Sequence, residues 1–171
     1  YVERILSFVD TGAMKPLRIV ANPGNGCAGP ALGKMLARLP FRVERMNFEP
    51  NGNFPSGVPN PLLLENRAAT ANAVIASEAD FGVAWDGDFD RCFLFDESGG
   101  FIEGYYLVGF LAKRLLAGHP GDAVVHDPRL TWNTLELVEE AGGRAVVSKS
   151  GHSFIKERMR ETGAVYGGEM S

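Results

Sequence analysis

Residues 81–97, FGVAWDGDFDRCFLFDE, decide how the rest of the chain is read. An apolar run from Phe81 to Trp85 leads in, carboxylates alternate at Asp86, Asp88 and Asp90, Arg91 follows at once, and Phe93 to Phe95 leads out. In extended backbone, residues i, i+2 and i+4 point the same way, so the three aspartates are expected to converge on one point. Converging anions repel, and burying them uncompensated is costly. A hard divalent cation with a preference for oxygen, Mg2+, is the natural occupant. Gly87 is expected to supply the sharp turn between the first two ligands. Arg91 is read as turning away from the aspartates toward a second anion, because its planar fork suits phosphate. A metal beside a phosphate-binding arginine points to phosphoryl chemistry.

Upstream of this stretch, Asp80 to Trp85 reads as a strand and Leu64 to Ala76 as the helix before it. Glu49 to Pro61, EPNGNFPSGVPNP, is a long turn-rich loop of the kind that serves function or an interface. Leu17 to Ala21 is short and apolar, Leu32, Met35, Leu36 and Leu39 stand at helical spacing, and Phe41 to Met46 alternates. This is a parallel strand–helix–strand unit. The glycine loop between the first strand and its helix, Gly24 to Gly29, lacks the registers of dinucleotide and nucleoside-triphosphate loops and is read as a tight turn. Residues 1–10 form an amphipathic helix with Ile5, Phe8 and Val9 inward.

Downstream, DESGG between Phe95 and Phe101 is a hairpin turn. The pattern restarts at Gly104, where Leu107, Phe110, Leu111 and Leu115 make a helix. The strand Ala123 to His126 follows, then a helix from Thr131 to Ala141 with Leu135 and Val138 inward, closed by Gly142 and Gly143. Ala145 to Val147, Ser153 to Glu161 and Ala164 to Tyr166 give strand, helix and strand. The fold class is therefore α/β, in two consecutive mixed-sheet domains at 1–100 and 101–171, the second incomplete.

With 171 residues, 45% hydrophobic and 22% charged, the composition is that of an ordinary globular protein. A net charge of −4 argues against a nucleic-acid partner. No apolar run is long enough to span a bilayer, and the start has no signal-peptide pattern. Cys27 and Cys92 form no metal or redox spacing, which fits a reduced, cytoplasmic setting. Both ends read as cuts in a longer protein.

Three known constellations compete for the aspartate cluster. An EF-hand loop needs glycine at its sixth position, where Arg91 stands, and helices on either side. A haloacid-dehalogenase-type phosphatase would use Asp86 as nucleophile and Asp88 beside it, but Asp90-Arg91 stands where a small or hydroxyl residue is expected. The third is specific. DGDFDR resembles the metal loop DGDxDR of the α-D-phosphohexomutases, the phosphomannomutases and phosphoglucomutases. Lys149-Ser150 followed by GHSFIKERM (151–159) is similar to that family's KTGH loop, and GGEMS (167–171) to the start of its sugar loop GEMSGH. NFPSGVPNPL resembles a segment ahead of the metal loop, so the likeness runs the whole length.

The resemblance implies the second domain and the first part of the third of a four-domain enzyme. It implies that a phosphoserine in the first domain donates its phosphoryl group to a hexose phosphate (mannose or glucose 1- or 6-phosphate), that the bisphosphorylated sugar turns over, and that the serine is rephosphorylated. Asp86, Asp88 and Asp90 would hold Mg2+ and Arg91 would stabilise the transferring group. Glu169 and Ser171 would hydrogen-bond sugar hydroxyls, His152 would hydrogen-bond or transfer a proton, and Lys149 would contact substrate. Arg129 stands where the family commonly has lysine; arginine is not neutralised, so a substrate contact rather than proton transfer is implied. Domains one and four are missing, so the isolated chain is expected to be inactive. Met170 is similar to the hexose mutases rather than to the GEQS of glucosamine mutases. Read without the resemblance, His152 is a helix-start residue, Glu169 a solvated carboxylate and Lys149 surface charge. On the same terms His119 and His126 are structural, and Trp85 and Trp132 are packing residues. A non-catalytic metal- or ligand-binding module stays as the rival reading.

Overall fold

A computed structural model describes residues 1–170, in two compact units, Tyr1–Ile102 and Glu103 onward. The first contains α1 (Val2–Leu6), a 3-10 turn at Thr11–Ala13, β1 (Arg18–Asn22), α2 (Ala28–Leu36), β2 (Arg42–Arg45), a 3-10 turn at Leu64–Asn66, α3 (Ala68–Ala76), β3 (Phe81–Trp85), β4 (Cys92–Phe95) and β5 (Phe101–Ile102). The second contains α4 (Gly104–Leu116), β6 (Ala123–His126), α5 (Trp132–Glu140), β7 (Arg144–Val147), α6 (His152–Thr162) and β8 (Tyr166–Gly168).

The first sheet has the order β2-β1-β3-β4-β5. β1 pairs in parallel with β2 and β3, and β4 and β5 complete the sheet antiparallel. Residues of β1 alternate between two cores. Ile19 and Ala21 pack with Leu32 and Leu36 of α2. Val20 packs on the opposite face with Val74 of α3, Ala84 and Phe95. A strand covered on both faces must be apolar throughout, which is why IVA is uninterrupted. The edge strand β2 carries Arg42, Glu44 and Arg45 on its exposed positions, which discourages pairing with another sheet. The hairpin forms as expected: Asp96 accepts hydrogen bonds from Ser98 N–H, the Ser98 hydroxyl and Gly100 N–H. These bonds, the hydroxyl first, hold its carboxyl below the usual range.

The second sheet has the order β7-β6-β8, all parallel. Its core joins Ala112 and Leu116 of α4, Val124 of β6 and Val138 of α5. Among the described residues, no helix is long and apolar enough to cross a membrane.

Three helix expectations are corrected, and α4 turns inward a face that its larger apolar residues do not mark. α1 ends at Leu6, which is its buried residue, while Phe8 and Val9 are exposed. The Ser7 hydroxyl donates to Arg4 O and Asp10 accepts from Gly12 N–H, so local polar bonds replace a third turn. The helix expected over 64–76 begins only at Ala68. Asn66 is tied to Val58 O and Asn60 O, and Arg67 to Pro61 O, which holds this segment to the preceding loop. In α4 the inward positions are Val108, Ala112 and Leu116, while Phe110, Leu111 and Leu115 face out. In α5 they are Thr134 and Val138, with Leu135 and Trp132 exposed, so Trp132 is not a packing residue. Both faces are set by close helix approach: a Cβ on Gly109 would lie 2.4 Å from the Asn133 amide nitrogen. Small side chains therefore take the contact and large ones are turned out.

Candidate functional site

β3 runs beside β1 and delivers Asp86 at its end. The chain then turns, with Phe89 N–H donating to Asp86 O at 3.3 Å. Convergence comes from this turn and not from extended backbone. The left-handed residue is Phe89, at φ +68°, rather than Gly87. One carboxylate oxygen from each of Asp86, Asp88 and Asp90 lies within 4.8 Å of the others. Asp86 is buried, and Asp88 and Asp90 are exposed.

Arg91 does not turn away. Its backbone N–H donates to Asp86 Oδ1 at 3.1 Å and its Nε to Asp86 Oδ2 at 2.7 Å. Asp90 Oδ1 lies 3.4 Å from the same nitrogen. Burial pushes the Asp86 carboxyl up, but the two Arg91 bonds outweigh it and hold the group below the usual carboxylate range. Asp90 is pushed the other way, first by its contact with Asp86 and then by burial and the neighbouring carboxylates. The cluster thus stores like-charge repulsion that one guanidinium only partly relieves. Arg91 keeps both Nη groups without a hydrogen bond among the described residues.

The glycine loop, read as a plain turn, buttresses this cluster. Cys27 N–H donates to Gly87 O at 2.9 Å. A Cβ on Gly26 would lie 2.7 Å from that oxygen, so only glycine lets the two loops meet. The long loop contributes from the other side: a Cβ on Gly87 would stand 3.4 Å from the Phe54 ring. Trp85 packs edge-on against Phe89, with ring centroids 6.1 Å apart. No local signal in the sequence marked Gly26 for this role.

In the second unit, Glu169 Oε1 accepts from Gly151 N–H at 2.5 Å, at the start of α6. His152, the first residue of α6, is exposed and makes no hydrogen bond among the described residues. The Lys149 ammonium lies 5.6 Å from the centre of the Phe154 ring. Arg129 is anchored on a residue that the sequence reading missed, Asp127, through its N–H at 2.7 Å and its Nη2 at 2.5 Å. Met170 N–H reaches the same carboxylate at 3.3 Å. Arg129 and the 169–170 segment are therefore brought together, and His152 follows the glycine that holds Glu169. Ser171 lies outside the described residues. The signal for Asp127 was a carboxylate directly after the apolar strand AVVH, which is buried throughout.

Asp127 has no solvent exposure. Burial raises its carboxyl, but the Arg129 guanidinium, the Arg129 N–H and the Met170 N–H together hold it below the usual range. A carboxyl depressed in the fold stabilises it above the ordinary value of about 3.9, and that contribution is lost as pH falls through the folded value. Carboxyl-carbon NMR is expected to show Asp127 titrating below about 3.9; a midpoint at or above that value contradicts the pairing.

Residues 1–100 match the family described as phosphoglucomutase/phosphomannomutase, alpha/beta/alpha domain II, and residues 103–171 match its alpha/beta/alpha domain III. The chain is 63% identical over 171 residues to the phosphohexose mutases of Xanthomonas campestris pv. campestris (strain B100), covering 100% of this chain and 38% of that protein. It is 53% identical over 176 aligned residues to the phosphomannomutase of Escherichia coli (strain K12), covering 100% of this chain and 39% of that protein. A phosphoglucomutase/phosphomannomutase family protein from Burkholderia thailandensis superposes with a TM-score of 0.91 at 34% identity, over 99% of this chain and 37% of that one. The chain thus spans 38–39% of the length of these curated relatives. Sequence and fold agree along the whole chain, which belongs to the phosphoglucomutase/phosphomannomutase family.

Proposed function

We propose that this chain is part of a phosphomannomutase/phosphoglucomutase that interconverts hexose 1-phosphate and hexose 6-phosphate. In this reading a phosphoserine elsewhere in the full-length protein exchanges phosphoryl groups with the sugar through a bisphosphorylated intermediate. The observation that carries it is the convergence of Asp86, Asp88 and Asp90 within 4.8 Å, in a chain whose relatives are hexose-phosphate mutases. The donor set is all carboxylate oxygen, and Asp88 makes no hydrogen bond among the described residues, so the cluster fits a hard cation such as Mg2+. When bound, Mg2+ supplies positive charge against the phosphoryl oxygens.

The chain's own residues do the rest. Asp86 holds the Arg91 guanidinium by its Nε edge, so that the Nη edge is offered to a phosphoryl group. Glu169 is held through Oε1, leaving Oε2 to accept from a sugar hydroxyl, with Ser171 beside it in sequence. Arg129 and Lys149 provide cationic contacts to the substrate, and His152 hydrogen-bonds it or transfers a proton. The phosphatase alternative fits poorly, because Asp90-Arg91 stands where a small or hydroxyl residue is expected after the Asp-x-Asp pair.

Phosphorus NMR tests the proposal. The full-length protein with Mg2+ is expected to convert mannose 1-phosphate or glucose 1-phosphate to the 6-phosphate, and the 171-residue chain alone to convert neither. No conversion by the full-length protein favours the non-catalytic binding module. Conversion by the chain alone contradicts the need for a phosphoserine outside it.

A further inference from the structure

The segment Gly168 to Met170 is pinned from three directions within the second unit. Glu169 accepts from Gly151 N–H at 2.5 Å, and Met170 N–H donates to Asp127 Oδ2 at 3.3 Å. The Met170 carbonyl lies where a Cβ on Gly104 would come within 2.6 Å, so α4 can start only with a glycine at this point. Among these anchors Asp127 is distinctive, because it also holds Arg129. Its Oδ1 takes the Arg129 N–H at 2.7 Å, and its Oδ2 takes Nε at 3.1 Å and Nη2 at 2.5 Å. One buried oxygen, Oδ2, is therefore shared by the guanidinium and by the backbone of the neighbouring segment.

A buried carboxylate needs a counter-ion, and a fully buried one would serve. Here the counter-ion is half in solvent: the Arg129 side chain is 49% exposed while that of Asp127 is 0%. The fork is spent on one edge only, and Nη1 makes no hydrogen bond among the described residues. An arginine tethered this way keeps a fixed, outward-facing donor edge, which is what recognition of a phosphate or a sugar oxygen requires.

We propose that Asp127 is a positioning residue for hexose-phosphate binding, fixing the Nη1 edge of Arg129 and the Glu169–Met170 backbone in one frame. The proposal rests on the mutase reading above. A substrate then meets the cation and the Glu169 carboxylate at a set separation instead of ordering them on binding, which lowers the entropic cost of association. Asp127 touches no substrate in this scheme and acts through its two partners.

Asp127→Asn in the full-length protein tests this, because asparagine keeps the size but loses the charge that orients the fork. Two readouts are taken. Hydrogen exchange is expected to quicken by about tenfold in peptides covering 166–171, while β6 keeps its protection. KM for mannose 1-phosphate is expected to rise about tenfold with kcat changed less than about threefold, and adding Arg129→Gln is expected to raise KM by less than about a further twofold. Unchanged exchange at 166–171, a loss of protection spread over the whole unit, or KM effects of the two substitutions that multiply would each overturn the proposal. If Asp127→Asn does not fold, the double variant leaves no unpaired buried charge and carries the exchange readout against Arg129→Gln alone; exchange at 166–171 no faster than in Arg129→Gln overturns it. If the unsubstituted protein turns over no hexose phosphate, the mutase reading fails, and the exchange measurement still decides whether Asp127 holds the frame.

Discussion

Asp88→Asn is expected to lower the mutase kcat of the full-length protein by about three orders of magnitude, close to 4 kcal/mol of transition-state stabilisation. The melting temperature of the metal-free protein is expected to move by no more than about 2 °C. The two halves of this expectation have separate causes. Asp88 is exposed and takes part in no hydrogen bond or ion pair among the described residues, so folding loses nothing when its charge goes. Repulsion from Asp90 is relieved, because Asp88 is one of the charges that push the Asp90 carboxyl up. In the proposed metal centre, catalysis would lose one of three anionic ligands of a hard cation, and an amide oxygen is a weaker donor to it. Asp86→Asn is a poorer probe: its carboxylate is buried and paired with Arg91 through both oxygens, so the substitution disturbs the fold and the site together. Steady-state kinetics with Mg2+ and thermal melts of the metal-free proteins check the two halves. Full activity in Asp88→Asn rules the residue out as a ligand.

Gly29→Ala is expected to destabilise the first unit by about 3 kcal/mol or more, measured by urea denaturation. Gly29 is buried in the first turn of α2, and a Cβ there would stand 1.8 Å from the Phe48 carbonyl oxygen. Both groups are backbone, so no side chain can swing aside. The clash must be relieved by moving α2 off the segment that follows β2, against the packing of Leu32 and Leu36 on Ile19 and Ala21. Gly33, one turn later in the same helix, has no neighbour within 4 Å of its added Cβ. There alanine is expected to stabilise by about 0.5–1 kcal/mol, the helix-propensity difference. Equal effects at the two positions would contradict the close approach of α2 and Phe48.

The order of helices and strands was legible in the sequence because each core strand is a short apolar run bounded by turn residues. Which side of a helix faces in was less legible. In α4 the larger apolar side chains, Phe110, Leu111 and Leu115, suggested one face, yet the buried face is Val108, Ala112 and Leu116. That choice depends on how near α5 comes at Gly109 and Asn133, a contact between residues far apart in sequence. The convergence of the three aspartates was legible because their spacing is local. The manner of that convergence was not: nothing in DGDFD marks Phe89 rather than a glycine as the left-handed residue. The pairing of Arg91 with Asp86 depends on how deep the end of β3 lies, which only the folded sheet sets. Asp127 was not legible because the family comparison bears on Arg129, which stands where lysine is common, while the carboxylate that orients it is buried behind it.

Asp86, Asp88 and Asp90 are proposed as the metal centre of a hexose-phosphate mutase. Calorimetric titration of the metal-free full-length protein with Mg2+ tests that assignment, with Asp88→Asn run alongside. A single saturable site in the unsubstituted protein that Asp88→Asn abolishes is the predicted result. No saturable binding, or the same affinity and stoichiometry in both proteins, contradicts it.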